Sequence, residues 1–188
     1  MGSREPRSDR LEQWRAAAGP KASTGTFAEA ARFAELAVLA VPWSAVASAI
    51  ELSTPENLRG KIVIDVTNPL KSEEGKPPGL AVGHIDSAGE TVARSLPGAK
   101  VVKAFNSVGH ELMVDPKLPG GPPTMFIAGD DEGAKKTVGA ICRDFGWEVA
   151  DLGGIEASRL LEPLCIVWVL YGRRTGAWNH AFKMLHGA

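Results

Sequence analysis

Few side chains in this 188-residue chain stand at the spacings that bond-breaking chemistry demands. Ser87 and Ser107 have no evident His or Asp partner, so nucleophilic catalysis has no case. His84, His180 and His186 are unclustered, and Cys142 and Cys165 form no C-x-x-C, so neither a metal site nor a redox pair is supported. Asp130 and Asp131 could pass for an acid pair, but two carboxylates that open a helix are expected to cap it. Arg159 and Glu162, three apart on one helix, are expected to pair with each other. What remains is a set of groups that bind and orient. Asn68, in Thr67-Asn68-Pro69-Leu70, follows an apolar run, where its amide either pairs with a polar ligand or serves as a turn residue before Pro69. Val41-Pro42 ends another run, either lining a ligand crevice or making an ordinary strand-to-helix junction with Pro at N1. Ser3-Arg4 near the terminus offers an arginine fork suited to a phosphate, or simply a solvated end.

The elements that must position these residues alternate. Leu36–Val41, Lys61–Val66, Ala99–Lys103 and Thr124–Ala128 are near-continuous apolar runs, as expected for strands buried on both faces; Trp147–Asp151 alternates more and is expected at an edge. Between them the pattern turns helical. Thr26-Phe-Ala-Glu29 predicts a capping box with a helix to about residue 33, and Asp130-Asp131 opens a helix running to about Phe145, closed by Gly146. Segments 8–18, 43–51 and 86–95 also read as helices, and 67–85, rich in Pro and Gly, as a long loop. Such alternation predicts an α/β fold with a mostly parallel sheet.

From Ile155 the pattern becomes a helix through Leu161–Tyr171 that is apolar nearly all round and contains Pro163, which is expected to start or kink it. Its cover must come from residues 1–152, the expected α/β domain, or from a second subunit; residues 153–188 are expected to be a helical segment, and a homodimer follows from that need.

Composition narrows the partners. The net charge is -1, with 21 Lys+Arg against 22 Asp+Glu, and no basic run exceeds a pair, so nucleic acid is not an expected partner. No apolar run approaches the roughly 18 residues of a membrane span, and the first residues lack the apolar core of a secretory signal; a cytoplasmic protein acting on a small molecule is expected.

Taken in order, Gly2-Ser3-Arg4, Ala40-Val41-Pro42-Trp43, Asp65-Val66-Thr67-Asn68-Pro69-Leu70, Val102-Lys103-Ala104-Phe105-Asn106, Gly129-Asp130-Asp131 and Ser158-Arg159-Leu160-Leu161-Glu162 resemble the NADPH-dependent reductases of the 8-hydroxy-5-deazaflavin coenzyme F-420 (F420) across essentially the whole chain. The resemblance implies a Rossmann-like doubly wound sheet and hydride transfer between NADP(H) and coenzyme F-420 or a flavin-like co-substrate. It implies 2′-phosphate binding by Ser3, Arg4 and, more weakly, Arg7, and places the nicotinamide and the deazaflavin ring beside Asn106, Val108 and His110. His110 would contribute its backbone amide. Asn106 stands where some members carry His, which argues against proton donation there. The chain departs from the family in lacking an opening strand, G-x-G-x-x-G turn and helix of about 30 residues. It is therefore expected to be an N-terminally shortened member with an exposed sheet edge. The alternative is a non-catalytic protein of this fold acting as a binding or assembly module.

Overall fold

A computed structural model describes residues 1–187. Helices α1 (Asp9–Ala18) and α2 (Phe27–Phe33) precede strand β1 (Leu36–Leu39), α3 (Trp43–Ser53) and β2 (Ile62–Asp65). The long loop carries a two-stranded antiparallel hairpin, β3 (Leu70–Lys71) with β4 (Gly79–Leu80), which the sequence pattern did not announce. Then come α4 (Ala88–Ser95), β5 (Lys100–Lys103), β6 (Thr124–Gly129), α5 (Glu132–Asp144), β7 (Glu148–Asp151) and α6 (Ser158–Thr175). The main sheet has the order β1-β2-β5-β6-β7 and is parallel except between β5 and β6. The architecture is the α/β, mostly parallel one expected, and all five strands fall within two residues of their expected ends.

Alternation along the central strands explains why they read as unbroken apolar runs. On β2, Val63 faces a cluster with Val46, Ile50, Val92 and Leu96 from α3 and the α4 region, while Ile64 faces the opposite cluster with Met125, Val138, Cys142 and Trp147. On β5, Val101 and Val102 divide the same way. Both faces are thus cores.

The helix starts are capped as their sequences demand. Thr26 Oγ1 accepts the Glu29 N–H (3.2 Å) while a Glu29 carboxylate oxygen accepts the Thr26 N–H (2.7 Å). Asp131 Oδ1 accepts the Ala134 N–H at 2.7 Å, whereas Asp130 reaches across the fold to the Ile155 N–H at 2.8 Å. Both aspartates are structural.

One feature of α6 corrects the sequence reading, the Arg159–Glu162 pair, and two others narrow it. Pro163 lies inside an 18-residue helix rather than at its start. The Arg159–Glu162 pair does not form: Arg159 Nε donates to Glu90 at 2.8 Å, and Glu162 turns inward to Lys103 at 3.0 Å. The helix is also covered on one face only, burying Leu161, Glu162, Cys165, Trp168 and Gly172 while Leu160, Val167 and Tyr171 lie exposed. Residues 153–188 were expected to be helical, but the helix ends at Thr175, and the chain returns to the start of β6, where the Thr124 N–H donates to the Phe182 carbonyl (2.8 Å). Trp168 Nε1 donates to the His180 carbonyl at 2.8 Å, tying this return to α6.

Candidate cofactor-binding edge

Parallel strands end together, so the carboxyl ends of β1, β2 and β5 deliver Val41-Pro42, Asn68 and Asn106 to one edge of the sheet. Pro42 is exposed and extended (ψ 150°), and it serves as the cap residue of α3 rather than its first helical residue. Its carbonyl accepts the Ala45 N–H at 2.8 Å.

Asn68 and Asn106 are held by each other. Asn68 Nδ2 donates to the Asn106 carbonyl at 2.7 Å, and Asn106 Nδ2 donates to Asn68 Oδ1 and to the Leu161 carbonyl, both at 2.9 Å. This cross-brace joins the ends of β2 and β5 to α6. Phe105, immediately before it, has φ 58°, a left-handed conformation that a bulky residue adopts only under constraint. Its N–H points at Met125 Sδ, 3.2 Å away. Val108 is partly buried against the core, and Gly109 packs under Trp168, where an added Cβ would lie 3.2 Å from the ring. His110 is exposed at the start of a short 3-10 turn.

Beneath this edge is a charge cluster that the sequence reading missed. Lys103 is fully buried, and its ammonium donates to Asp65 Oδ2 (2.8 Å) and the Thr67 carbonyl (2.7 Å), with Glu162 Oε1 at 3.0 Å. All three ammonium donors therefore have acceptors. Asp65 Oδ1 also accepts the Thr67 N–H and hydroxyl, at 2.9 and 2.7 Å. Glu162 accepts the Ala88 and Gly89 amides at 3.0 and 2.9 Å, so its charge meets the positive end of α4 as well as Lys103. Gly89 is required for that approach, because a Cβ there would stand 2.3 Å from Ser158 Oγ. The cluster pins Thr67, one residue before Asn68, and the end of β5, three residues before Asn106. A signal existed: Asp65 and Lys103 are opposite charges at the last positions of two apolar runs, and they are register partners.

At the rim, the Arg159 guanidinium holds the Glu90 carboxyl below its ordinary range. Burial pushes the Cys142 thiol up to about 12 and the Cys165 thiol to about 11, so neither is a nucleophile at neutral pH.

The N-terminal candidates stand apart. The Ser3 N–H donates to the Gly25 carbonyl (2.9 Å), extending a parallel bridge between Gly2 and Gly25, and Ser3 Oγ accepts the Glu5 N–H (3.1 Å). Arg4 and Arg7 are exposed just before α1, and neither joins an ion pair among the described residues. No hydrogen bond links Ser3, Arg4 or Arg7 to the strand-end group, and a cavity of about 1110 Å³ is lined both by Met1-Gly2 and by residues 36–41. Thus the structure gathers Val41, Pro42, Asn68 and Asn106 at neighbouring strand ends, continues to Val108 and His110, and leaves the three N-terminal residues on a separate strip.

Residues 2–69 match the family model described as NADP oxidoreductase, coenzyme F420-dependent. The chain is 33% identical over 138 residues to the F420-dependent NADP reductase of Methanocaldococcus jannaschii, covering 72% of this chain and 61% of that protein. It is 34% identical over 151 residues to the enzyme of the same description from Methanothermobacter marburgensis, covering 77% and 65%. The matched region therefore spans less than two thirds of either relative. A crystal structure from Arthrobacter sp. FB24, described as an F420-dependent NADP-reductase, superposes with a TM-score of 0.91 at 36% identity, over 98% of this chain and 87% of that one. By these matches the chain belongs to the F420-dependent NADP oxidoreductase family.

Proposed function

We propose that this chain is an NADP(H)-binding oxidoreductase component that holds the nicotinamide end of the cofactor at the carboxyl ends of β1, β2 and β5, for hydride exchange with F420 or a flavin-like acceptor. The observation that carries this reading is the cross-braced Asn68–Asn106 pair beside the strained Phe105, a rigid neutral edge where three parallel strands end. Strain persists where surrounding structure enforces it, and functional edges are such places.

The residues fit the two ends of a dinucleotide better than its middle. Arg4 and Arg7, exposed and without ionic partners among the described residues, offer forked donors to a 2′-phosphate, and Ser3 fixes the turn that presents them. Val41 and Pro42 offer a backbone wall. No glycine-rich strand-to-helix turn among the described residues would cradle the pyrophosphate.

When bound, the nicotinamide supplies the hydride chemistry. The residues of this chain orient and exclude water: the Asn pair presents no titrating group beside the transfer path, and Val108 with the Gly109 backbone forms an apolar floor under it. No acid or base among Asn68, Asn106, Val108 and the His110 amide is required.

The exposed stripe Leu160, Val167 and Tyr171 on α6 supports a homodimer formed through that face. Light scattering tests it: the wild type should run as a dimer and Val167→Asp as a monomer. We place the protein in the cytoplasm on family grounds; among the described residues no helix is long and apolar enough to cross a membrane.

Calorimetric titration with NADPH and NADH tests the binding claim. NADPH should bind more tightly than NADH, and Arg4→Ala should weaken NADPH about 10-fold, the size of a lost charge-assisted bond. Equal affinity for the two cofactors would remove Arg4 from the site. Steady-state reduction of F420, flavin and ferric chelate in parallel would then name the acceptor.

A further inference from the structure

After α6 the chain doubles back along the helix it has just left. Gly176, in the left-handed region at φ 74°, makes the turn, and its N–H donates to the Gly172 carbonyl at 2.8 Å. Gly172 lets the return lie close, because a Cβ there would stand 2.6 Å from the Trp178 ring. His180 then enters an aromatic nest. Its ring stacks on Trp168, with centroids 4.7 Å apart and planes at 21°, and meets Tyr171 edge-on at 4.7 Å.

Both ring nitrogens of His180 face carbonyl oxygens: Nδ1 lies 2.9 Å from that of Ala177, and Nε2 lies 3.1 Å from that of Trp168. A carbonyl only accepts. A neutral imidazole has a single N–H, so its other nitrogen would aim a lone pair at an oxygen; the imidazolium donates to both. The Trp168 face under the ring favours the same charged form. The groups around it supply no competing anion. On α6 the neighbours are the Tyr171 phenol and the exposed Arg173 and Arg174; on the return, Lys183 turns away to Glu148 and the Pro122 carbonyl, and His186 is exposed; in the segment packed on Trp168, His110 and Glu111 are exposed. Among the described residues no ion pair joins His180 to a carboxylate. The ring is thus placed by carbonyls and aromatic faces, and what it holds is a strap. Trp168 Nε1 donates to the His180 carbonyl, the Thr124 N–H donates to the Phe182 carbonyl (2.8 Å), and the Met184 N–H donates to Thr124 Oγ1 (3.0 Å).

We propose that His180 is a proton-operated latch on the C-terminal return. With the ring charged, both nitrogens bond and residues 177–184 are strapped across α6 to the start of β6. When the ring gives its proton to water, one nitrogen is left facing an oxygen, that bond is lost, and the return loosens. Trp168 also packs on Gly109, so loosening of the strap reaches the segment Val108–His110. The latch is independent of the cofactor reading, because it is defined by ring and carbonyl geometry alone.

The test follows the ¹⁵N-labelled full chain by NMR from about pH 5 to about pH 9, across the range in which histidines change charge. Ring nitrogen shifts report the proton on His180, and protection factors of the Thr124 and Met184 amides report the strap. As the ring loses its proton, both protection factors should fall about tenfold, the size of one lost charge-assisted bond, while those of β2 and β5 hold. His180→Gln has no proton to lose and should show the loosened strap at every pH; His110→Gln, which removes the neighbouring imidazole, should respond as the wild type does. Protection that stays constant while the ring titrates, a ring neutral over the whole range, or the wild-type response retained in His180→Gln would each overturn the proposal. The ring and amide signals of the wild type decide the first two of these without any variant. None of these readouts involves NADPH, so failure here and failure of cofactor binding are separately visible.

Discussion

Around β5 and β6 both sheet faces are packed: Val102, Val138 and Cys142 are fully buried, Trp147 Nε1 donates to the Met113 carbonyl (3.0 Å), and the neighbouring edge strand β7 carries charges that pair. Around β1 the same kinds of residue, Leu, Ala and Val, are half-covered, and Phe33 at the end of α2 is 85% exposed. The difference lies in neighbours. A run of apolar residues specifies a strand that expects partners on both sides, and burial follows only where those partners are supplied. The half of the molecule bearing Asn68 and Asn106 is closed over by the Lys103 cluster and α6, and the half bearing Ser3 and Arg4 lies beside the cavity that Met1 and Gly2 line. A well-ordered group at the strand ends and a loosely bounded N-terminal strip thus belong to one fold.

Lys103→Met breaks the closed half most severely. It leaves Asp65 and Glu162 buried without their shared cation, which costs about 3–5 kcal/mol, and urea unfolding should show that loss. A loss under about 1 kcal/mol would mean that Thr67 and the α4 amides hold both carboxylates by themselves. The contrast itself is measured next by truncating one apolar residue in each half. Met125→Ala, at 1% exposure, should cost about 2–5 kcal/mol, and Val38→Ala should stay within about 0.5 kcal/mol. Comparable losses would show that the β1 edge is as well packed as the rest.

The thiols sharpen the picture at alkaline pH. The Cys142 thiol, pushed up to about 12 by burial against an ordinary value of 9.0, stays protonated in the fold while the unfolded chain ionises. The unfolded state then holds fewer protons than the native state, so stability is full below about pH 9 and falls as pH rises toward 12. Cys165, at about 11, acts in the same direction over a narrower window. Iodoacetamide at pH 8 should leave both unmodified in the folded protein and label both in urea. Labelling of Cys142 without denaturant would place an opening in the half described as closed.

Much of this was legible from the chain. Strands and capped helices carry their causes locally: Thr26 with Glu29, Asp131 before Glu132, and unbroken apolar runs at β2 and β5. The candidate edge was legible too, since strand ends follow from strand positions. What escaped reading were contacts between residues distant in sequence. Helical spacing suggested that Arg159 and Glu162 pair, yet Glu90, 69 residues away, and Lys103 claimed them, because a buried partner with satisfied hydrogen bonds outweighs a solvent-exposed pair worth a few tenths of a kcal/mol. The partial exposure of α6 escaped for the same reason: composition shows that a helix is apolar all round and cannot show which side is covered. The β3–β4 hairpin, with two residues in each strand, was too short to leave a pattern.

The smallest test concerns α2, whose residues line the open cavity. Thr26→Ala removes the hydroxyl that accepts the Glu29 N–H and should cost about 1 kcal/mol, a typical loss for an N-cap. Glu29 adds a pH signature of known sign. The Thr26 backbone N–H, and then its hydroxyl, hold the carboxyl below 4.5, so this stabilisation is present above that value and is lost as pH falls through the lower folded value. The protection factors of the α2 amides should therefore fall on acidification in the wild type and change less in Glu29→Gln, while α5, whose Asp131 cap is the same in both proteins, serves as the internal reference. If α2 exchanges no faster than α5 at neutral pH, the β1 side is as firmly held as the β7 side. The cavity that α2 lines would then be a rigid feature of the fold.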